Sequence, residues 1–230
     1  MLAQRLSLSL PTIKTLGGWT PTDESSLEAW YKNRTGLTLS AGLSPPVEAW
    51  ADSSHNSYDM VQGDASERPI YTTTGGILTF VSANLQNLQT TGQISLTGDF
   101  TIGIKLNPTI AAAGTFLADN TSANELFKYE SATRIKVKID SANKNLDLDS
   151  GTFGDDYVVI TRVSNVLTLW HNGVAQTGTT PTAAGTSDID AIGIRATNSD
   201  AYDGTIQEIQ IYSSSSATLT SNINARLSTL

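Results

Sequence analysis

The chain has 230 residues and a formal net charge of −8, from 14 Lys and Arg against 22 Asp and Glu, and this length allows one large domain with a substantial core. An acidic chain without a basic tract is a poor partner for nucleic acid or for an anionic membrane, because both attract positive charge. The sequence has no Cys, which excludes disulfides and thiolate metal sites, while 25 Ser, 31 Thr and 18 Gly indicate an all-β protein with many turns.

The first 26 residues differ in pattern from the rest of the chain. Residues 7–11 alternate like a short strand, and Gly17 and Gly18 then indicate a linker. We predict a docking arm and linker over residues 1–26 and a β-sandwich domain over residues 27–230. The arm either folds back as an edge strand of this domain or docks on a neighbouring subunit. Its apolar contact residues are Leu6, Leu8, Leu10 and Ile13.

Segments rich in β-branched and aromatic residues then recur, separated by turn residues, as is typical of strands. The predicted strands are 27–32, 47–52, 77–80, 100–106, 114–118, 125–130, 133–139, 157–163, 166–171, 189–195 and 205–212. Residues 143–145 predict a turn, and Asn172 with Gly173 predicts a two-residue hairpin loop. Residues 218–230 carry Leu and Ile at helical spacing, which predicts a short C-terminal helix. So many short strands predict a sandwich or barrel.

Alternation within these strands predicts which side chains form the core and which face solvent. The predicted core residues are Leu27, Trp30, Trp50, Phe80, Phe100, Ile102, Ile135, Val137, Ile209 and Ile211. The strand at 133–139 also carries a basic stripe on its other face, formed by Arg134, Lys136 and Lys138. Such a stripe is either a solvated outer face with Lys protecting an edge, or a patch for an acidic polysaccharide or an acidic neighbouring subunit.

Three stretches together resemble the concanavalin A-like lectin and glucanase superfamily, in its laminin G-like branch. They are residues 47–56 with 68–71 and 76–80, then 167–173, then 204–212. The first contains a turn at Trp50 and Asp52, the second ends in Asn-Gly, and the third is similar to the closing strand of these domains. The resemblance implies a jelly-roll sandwich of two antiparallel sheets. That fold hosts lectins, hydrolases and scaffolds, so it does not fix the function.

A narrower resemblance lies near the N-terminus. Residues 8–14, 17–19 and 27–32 are similar to the start of structural proteins of tailed phages of marine cyanobacteria. It implies a multi-copy virion protein, assembled in the host cytoplasm, that docks on other virion subunits and binds host polysaccharide. The absence of a long apolar run at the N-terminus agrees with folding in a cytoplasm. The alternatives are a free-standing carbohydrate-binding module and, more distantly, a degenerate glucanase.

The sequence argues against catalysis. Glucanases of the superfamily use a Glu-x-Asp-x-x-Glu motif, and the nearest match here has Phe127 where the Asp should stand between Glu125 and Glu130. A retaining glycosidase needs two carboxyl groups about 5–5.5 Å apart. A Ser-His-Asp triad would have to use His55 or His171, both in predicted turns or at a hairpin edge. We therefore predict a protein without catalytic residues.

Binding residues are predicted in the loops. Trp170, beside the Asn-Gly turn, and Tyr202, in a loop with Asn198 and Asp200, are candidates for stacking on a sugar, although packing roles are the alternative. The resemblance also implies calcium as the one cofactor to consider, bound by Asp and Asn oxygens. The candidate ligand sets are Asp52, Asn56 and Asp59; Asp119, Asn120 and Asn124; and Asn198, Asp200 and Asp203. The alternative is that these residues cap turns.

Overall fold

A computed structural model of the protein describes residues 18–109 and 114–230. These residues form seventeen strands and one α-helix. The strands are β1 (Leu27–Tyr31), β2 (Leu37–Leu39), β3 (Val47–Trp50), β4 (Met60–Val61), β5 (Ile70–Thr72), β6 (Ile77–Phe80), β7 (Leu88–Leu96), β8 (Phe100–Pro108), β9 (Gly114–Ala118), β10 (Leu126–Ser131), β11 (Arg134–Ile139), β12 (Ala142–Asp147), β13 (Asp156–Val163), β14 (Val166–His171), β15 (Val174–Ala175), β16 (Ser187–Ile192) and β17 (Gly204–Tyr212). The helix is α1 (Ala217–Leu227).

The strands form two antiparallel sheets that pack face to face. The eight-stranded sheet has the order β15-β14-β13-β8-β17-β6-β5, with β1 also paired to β17. The nine-stranded sheet has the order β12-β11-β10-β9-β16-β7-β4-β3-β2. The predicted all-β sandwich with a C-terminal helix is therefore confirmed.

Two-residue turns fix the register of the hairpins. Asn172 and Gly173 join β14 to β15 with φ of 49° and 81°, as the sequence predicted. The turn predicted at residues 143–145 is wrong, because those residues lie inside β12 and pair with β11. The chain instead turns at Asp140 and Ser141, with φ of 47° and 69°. Asp tolerates this left-handed backbone. Because the chain turns before residue 142 rather than at residues 143–145, all of β12 can pair with β11.

The predicted core residues are all buried, which confirms the phase of the strands. Most of them lie between the sheets in one large cluster. Leu27 and Trp30 belong instead to a second cluster, on the outer face of the eight-stranded sheet. That cluster exists because α1 packs there. Its apolar residues are Leu27, Trp30, Val159, Tyr212, Leu219, Ile223 and Leu227.

The helix is held on the sheet by shape and by charge. Gly103 lies beneath it, and a Cβ at that position would come within 2.3 Å of Ile223 Cγ2. Arg226 donates to the fully buried Glu208 at 2.8 Å, and Trp30 Nε1 donates to the same carboxylate at 3.0 Å. Ser216 begins the helix by accepting the N–H of Leu219 at 3.1 Å. No helix in the described ranges is long and apolar enough to cross a membrane.

The described part of the predicted arm packs on the domain. Trp19 lies against the helix cluster, and its Nε1 donates to Glu24 at 2.9 Å. Pro21 is buried. The predicted contact residues Leu6, Leu8, Leu10 and Ile13 lie outside the described residues.

Phe100→Ala should lower the free energy of unfolding by about 3–5 kcal/mol, because it removes a fully buried ring and leaves a cavity. The ring packs edge-on against Phe127 at 6.2 Å, so neighbouring side chains cannot fill the space without moving. Urea unfolding measures the change. Val163→Ala, at an exposed position, is the control and should change it by less than about 0.5 kcal/mol. A loss as small for Phe100→Ala would contradict the observed core.

Candidate functional site

The two outer faces of the sandwich differ in what covers them. The helix α1 packs on β8 and β13 and closes much of the outer face of the eight-stranded sheet. Within the described residues, no helix lies on the outer face of the nine-stranded sheet. Partly exposed polar side chains lie on this sheet in β11, β10, β16 and β7, whereas the residues of β9, between β10 and β16, are buried. The exposed polar groups on either side of β9 are the strongest candidate for a binding site.

A network of ion pairs crosses one end of this face, and we call it the ion-pair network. Lys128 of β10 donates to Glu130 at 3.1 Å and to Asp200 at 3.0 Å. Lys136 of β11 donates to Glu130 at 2.6 Å, and Arg195 lies 3.4 Å from Asp200. Ion pairs therefore connect β10, β11 and the loop before β17. These side chains are only partly exposed, so the pairing is stronger than between fully solvated groups.

A second group lies further along β9 on the same face, and we call it the carboxylate row. Asp188 of β16 accepts from Ser95 Oγ at 2.6 Å, and Asp190 accepts from the backbone N–H of Asn120 at 2.5 Å. The amide of Asn120 donates to Gln89 Oε1 at 2.8 Å. A register shift between Ile189 and Ala191 places Asp190 at an irregular position in β16. Burial, with the nearby Asp119 and Asp188, raises the pKa of Asp190 to about 6.

The sheet register fixes the distance between the two groups. Thr115 of β9 pairs with Lys128 and donates its N–H to the backbone carbonyl of Asp200 at 2.7 Å, so its position marks the end of β9 beside the ion-pair network. Ala118 pairs with Ala191, beside the carboxylate row. Three residues of strand separate these markers, which is about 10 Å. The β9 residues between these markers are buried, and hydrogen-bonding groups lie at both ends of this stretch.

The structure does not bring the predicted glycan-binding residues together. Trp170 is partly exposed but packs against the helix cluster, on the other face of the sandwich. Tyr202 is fully buried and its ring stacks on Tyr129 at 6.4 Å, so the prediction that it stacks on a sugar is wrong. Its loop folds inward because the hydroxyl donates to the carbonyl of Thr205 at 3.2 Å. Asp200 lies in the ion-pair network, and the exposed Asn198 is two residues away.

The residues predicted as calcium ligands make hydrogen bonds within the protein, several of them in turns. Asp52 accepts the N–H groups of Trp30 and Ser54 at 2.9 and 2.8 Å, and Asp59 accepts the N–H of Asp52 at 2.8 Å. Asp119 likewise accepts from Thr121 and Ser122, Asn120 donates to Asp190 and Gln89, and Asp203 accepts from Ser82. In the part of the chain that the structure describes, no group of three or more acidic or histidine side chains is placed to hold a metal ion.

The two glutamates of the degenerate glucanase motif have different surroundings. Glu130 is in the ion-pair network, where hydrogen bonds from Lys136 and Lys128 lower its pKa. Glu125 is buried beside Asp119, and burial raises its pKa. Five residues of strand between them correspond to about 17 Å, which is too far for either glycosidase geometry. The two pKa values shift in opposite directions because lysines surround Glu130, whereas Glu125 is buried beside another carboxylate.

The histidines lie apart from the polar face. His171 Nε2 is 3.0 Å from Asp156, whose pKa is lowered by hydrogen bonds from His171 and Asn172 despite its burial. The His171 ring packs edge-on against Phe153 at 5.5 Å. His55 is exposed in a turn. The contacts of His171 stabilise the end of the sandwich at the hairpin between β14 and β15.

Sequence reasoning missed the carboxylate row and part of the ion-pair network. The basic stripe was correctly predicted to lie on one outer face, but its side chains form hydrogen bonds to acceptors of the protein itself. Arg134 donates to Asp147 at 2.5 Å, and Lys138 donates to the carbonyl of Ala123 at 2.5 Å. The pattern Asp-Ile-Asp at 188–190 was the available signal, because alternation puts two carboxylates on one face.

The comparisons with known proteins define the class of fold. No protein-family model and no curated protein matches the sequence. Among solved structures, the chain is similar to domain 4 of AbnA, a GH43 extracellular arabinanase from Geobacillus stearothermophilus, solved in complex with arabinotriose. The sequence identity is 13%, the match covers 86% of this chain and 98% of that chain, and the TM-score is 0.58. It is also similar to a GH54 α-L-arabinofuranosidase soaked with a cyclic sulfate inhibitor, with 14% identity over 80% of this chain and 51% of that chain and a TM-score of 0.54. The chain therefore shares its β-sandwich fold with domains of carbohydrate-active enzymes.

Asp190→Asn should raise the free energy of unfolding at pH 7.5 by about 2–3 kcal/mol and leave it unchanged below pH 3.5. The pKa is about 6 in the folded protein against an ordinary value of 3.8 for Asp, so the ionised carboxylate destabilises the fold as the pH rises through that window. Urea unfolding at several pH values measures this change.

Asp64→Asn is the control at an exposed loop. Hydrogen bonds from Ser66 lower the pKa of Asp64, so its substitution should reduce stability at neutral pH, the opposite sign. An effect of Asp190→Asn that does not vary with pH would contradict the assignment.

Proposed function

We propose that the protein is a non-catalytic carbohydrate-binding β-sandwich whose ligand lies on the outer face of the nine-stranded sheet. The observation that carries this proposal is the pair of polar groups on one sheet, the ion-pair network and the carboxylate row, with no helix of the described residues packed over them. Carboxylate and amide groups there, among them Asp188 and Gln89, are hydrogen-bonded to neighbours and hold fixed positions. Fixed polar groups suit the hydroxyl groups of a sugar chain, because little side-chain entropy is lost on binding.

The shape of the protein supports a chain-like ligand. The part of the chain that the structure describes encloses no cavity for a small molecule. A ligand on this face would contact several strands at once and remain open at both ends. An extended polysaccharide meets that condition, whereas a small metabolite would leave most of its surface in water.

A panel of soluble polysaccharides tests the proposal by affinity electrophoresis. Asp188→Asn with Gln89→Ala should weaken binding of the retarding polysaccharide at least tenfold, because hydrogen-bonding groups of the carboxylate row are lost. Asp64→Asn, an acidic residue in an exposed loop, should leave binding within twofold.

Trp170→Phe separates this site from the other face of the sandwich. The substitution keeps an aromatic side chain in the helix cluster and should also leave binding within twofold. If Trp170→Phe abolishes binding and the carboxylate-row variant does not, the ligand lies on the eight-stranded sheet. Absence of binding across the whole panel contradicts a carbohydrate-binding function.

The proposal includes the absence of catalysis. Its support is the separation of Glu125 from Glu130 and the ion pairing of Glu130, which keeps that carboxylate ionised. Incubation with arabinan, β-glucan and xylan should release no reducing sugar above a heat-denatured control. Hydrolysis by the wild-type protein that is lost in Glu130→Gln would contradict it.

We propose further that this module belongs to the particle of a tailed phage, where the N-terminal segment docks it on other virion subunits and the polar face meets host polysaccharide. The support is the resemblance of residues 8–14, 17–19 and 27–32 to phage structural proteins. A free-standing binding module remains the second candidate, and the outer-face chemistry favours it equally.

A chain beginning at Gly18 separates these two candidates. It retains Trp19 and Pro21, which pack on the sandwich, so its melting temperature should equal that of the full chain. It should bind polysaccharide normally but fail to join phage particles or form the multi-copy assembly of the full chain. Normal assembly of the shortened chain would refute a docking role, and in that case the free-standing module is the better description.

A further inference from the structure

The charges on the candidate face are distributed unequally between paired cations and unpaired anions. Five cationic side chains lie on this face or at its border, and each donates to an acceptor of the protein itself. They are Lys128, Arg134, Lys136, Lys138 and Arg195. Four of these positive charges are therefore paired with carboxylates before a ligand arrives, and the fifth, Lys138, donates to the backbone carbonyl of Ala123.

The acceptors that hold these cations are mostly carboxylates. Glu130 takes two lysines, Asp200 takes Lys128 and Arg195, and Asp147 takes Arg134 through two hydrogen bonds. A carboxylate or sulfate on a ligand would have to share each of these cations with a carboxylate that already lies 2.5–3.4 Å away. That carboxylate would repel the incoming anion and offset its attraction to the cation.

The anions of the carboxylate row are held by neutral donors instead. Asp188 accepts from a hydroxyl group and Asp190 from a backbone amide. Asp119, nearby, accepts from Thr121 and Ser122. Their negative charge is thus not cancelled locally, and the chain as a whole carries −8. The field at this end of the face repels anions and strengthens hydrogen bonds from neutral hydroxyl donors.

We infer that the candidate face is selective for neutral polysaccharides and excludes uronate-containing or sulfated ones. This inference rests on the proposed function and specifies its ligand class. From the sequence alone, one interpretation of the basic stripe was a binding patch for an acidic polysaccharide. The structure favours a neutral polysaccharide instead, because the stripe is already bonded within the protein. Neutral hydroxyl groups can donate to the carboxylate row and accept from the outer edge of the ion-pair network without breaking any existing pair.

The inference is tested by comparing neutral arabinan, galactan and β-glucan with polygalacturonate and heparin, for the wild-type protein and for a variant that frees the cations. Glu130→Gln with Asp200→Asn removes the anionic partners of Lys128, Lys136 and Arg195. The wild-type protein should bind one or more neutral polysaccharides, with an affinity that changes less than twofold between 50 and 500 mM NaCl. It should not bind the acidic ones. The variant should gain at least tenfold affinity for polygalacturonate at 50 mM NaCl and lose that gain at 500 mM.

Glu48→Gln with Asp64→Asn is the matched control, because it makes the same change in net charge around Arg68, near the opposite edge of the sheet from the ion-pair network. It should gain less than twofold. Glu130→Gln alone, at a partly exposed position, provides a milder variant if the double substitution lowers the melting temperature. It frees Lys136 and should gain a smaller, salt-sensitive affinity.

The outcomes separate the inference from the proposed function. Wild-type binding to acidic polysaccharides in preference to neutral ones would overturn the inference and leave carbohydrate binding standing. A double variant that folds but gains no affinity for polygalacturonate would also overturn it, since pairing would not be what excludes anions. Binding of the wild-type protein to no polysaccharide would overturn the proposed function and the selectivity with it.

Discussion

One buried guanidinium ties the two sheets together at one end of the sandwich. Arg162, at the end of β13, is 1% exposed and donates to the carbonyls of Leu96, Gly98 and Gly185 at 2.7–2.9 Å. It also lies 4.7 Å from the centre of the Phe100 ring. Burial lowers the pKa of Arg162, and the three carbonyls accept the hydrogen bonds that its buried charge would otherwise make to water. Without the guanidinium these carbonyls would lose their partner, at a cost of about 1–3 kcal/mol each where they are buried.

This constraint reaches the candidate site through the strands that it fixes. Leu96 ends β7, Gly98 lies in the turn to β8, and Gly185 precedes β16. The guanidinium thus sets where β7 and β16 lie next to each other, and those strands carry the carboxylate row. The ion-pair network fixes the other end of the same face through β10, β11 and the loop before β17. Both groups of polar side chains are thus held by contacts within the protein, and α1 packs on the opposite sheet.

Sequence alone predicted the parts of this protein that depend on local pattern. The alternation of Ile135, Val137 and the basic stripe gave the correct face of β11, and Asn172 with Gly173 gave a correct hairpin. It failed where long-range pairing decides. The residues near Tyr202 left open whether its ring would stack on a sugar or pack in the core, and the structure shows packing. Carboxylate partners of the basic stripe, such as Asp147 and Glu130, come from other strands, so free and paired cations look identical in sequence.

The location of the ligand is the central claim, and backbone amide shifts on titration with the bound oligosaccharide test it most directly. Shifts should concentrate at residues 89–95, 115–120, 128–136 and 187–191, which surround the outer face of the nine-stranded sheet. Amides of α1 and of residues 157–173, including Trp170, should stay unchanged. Shifts concentrated on α1 and around Trp170 would contradict the account, because the ligand would then lie on the face that the helix covers.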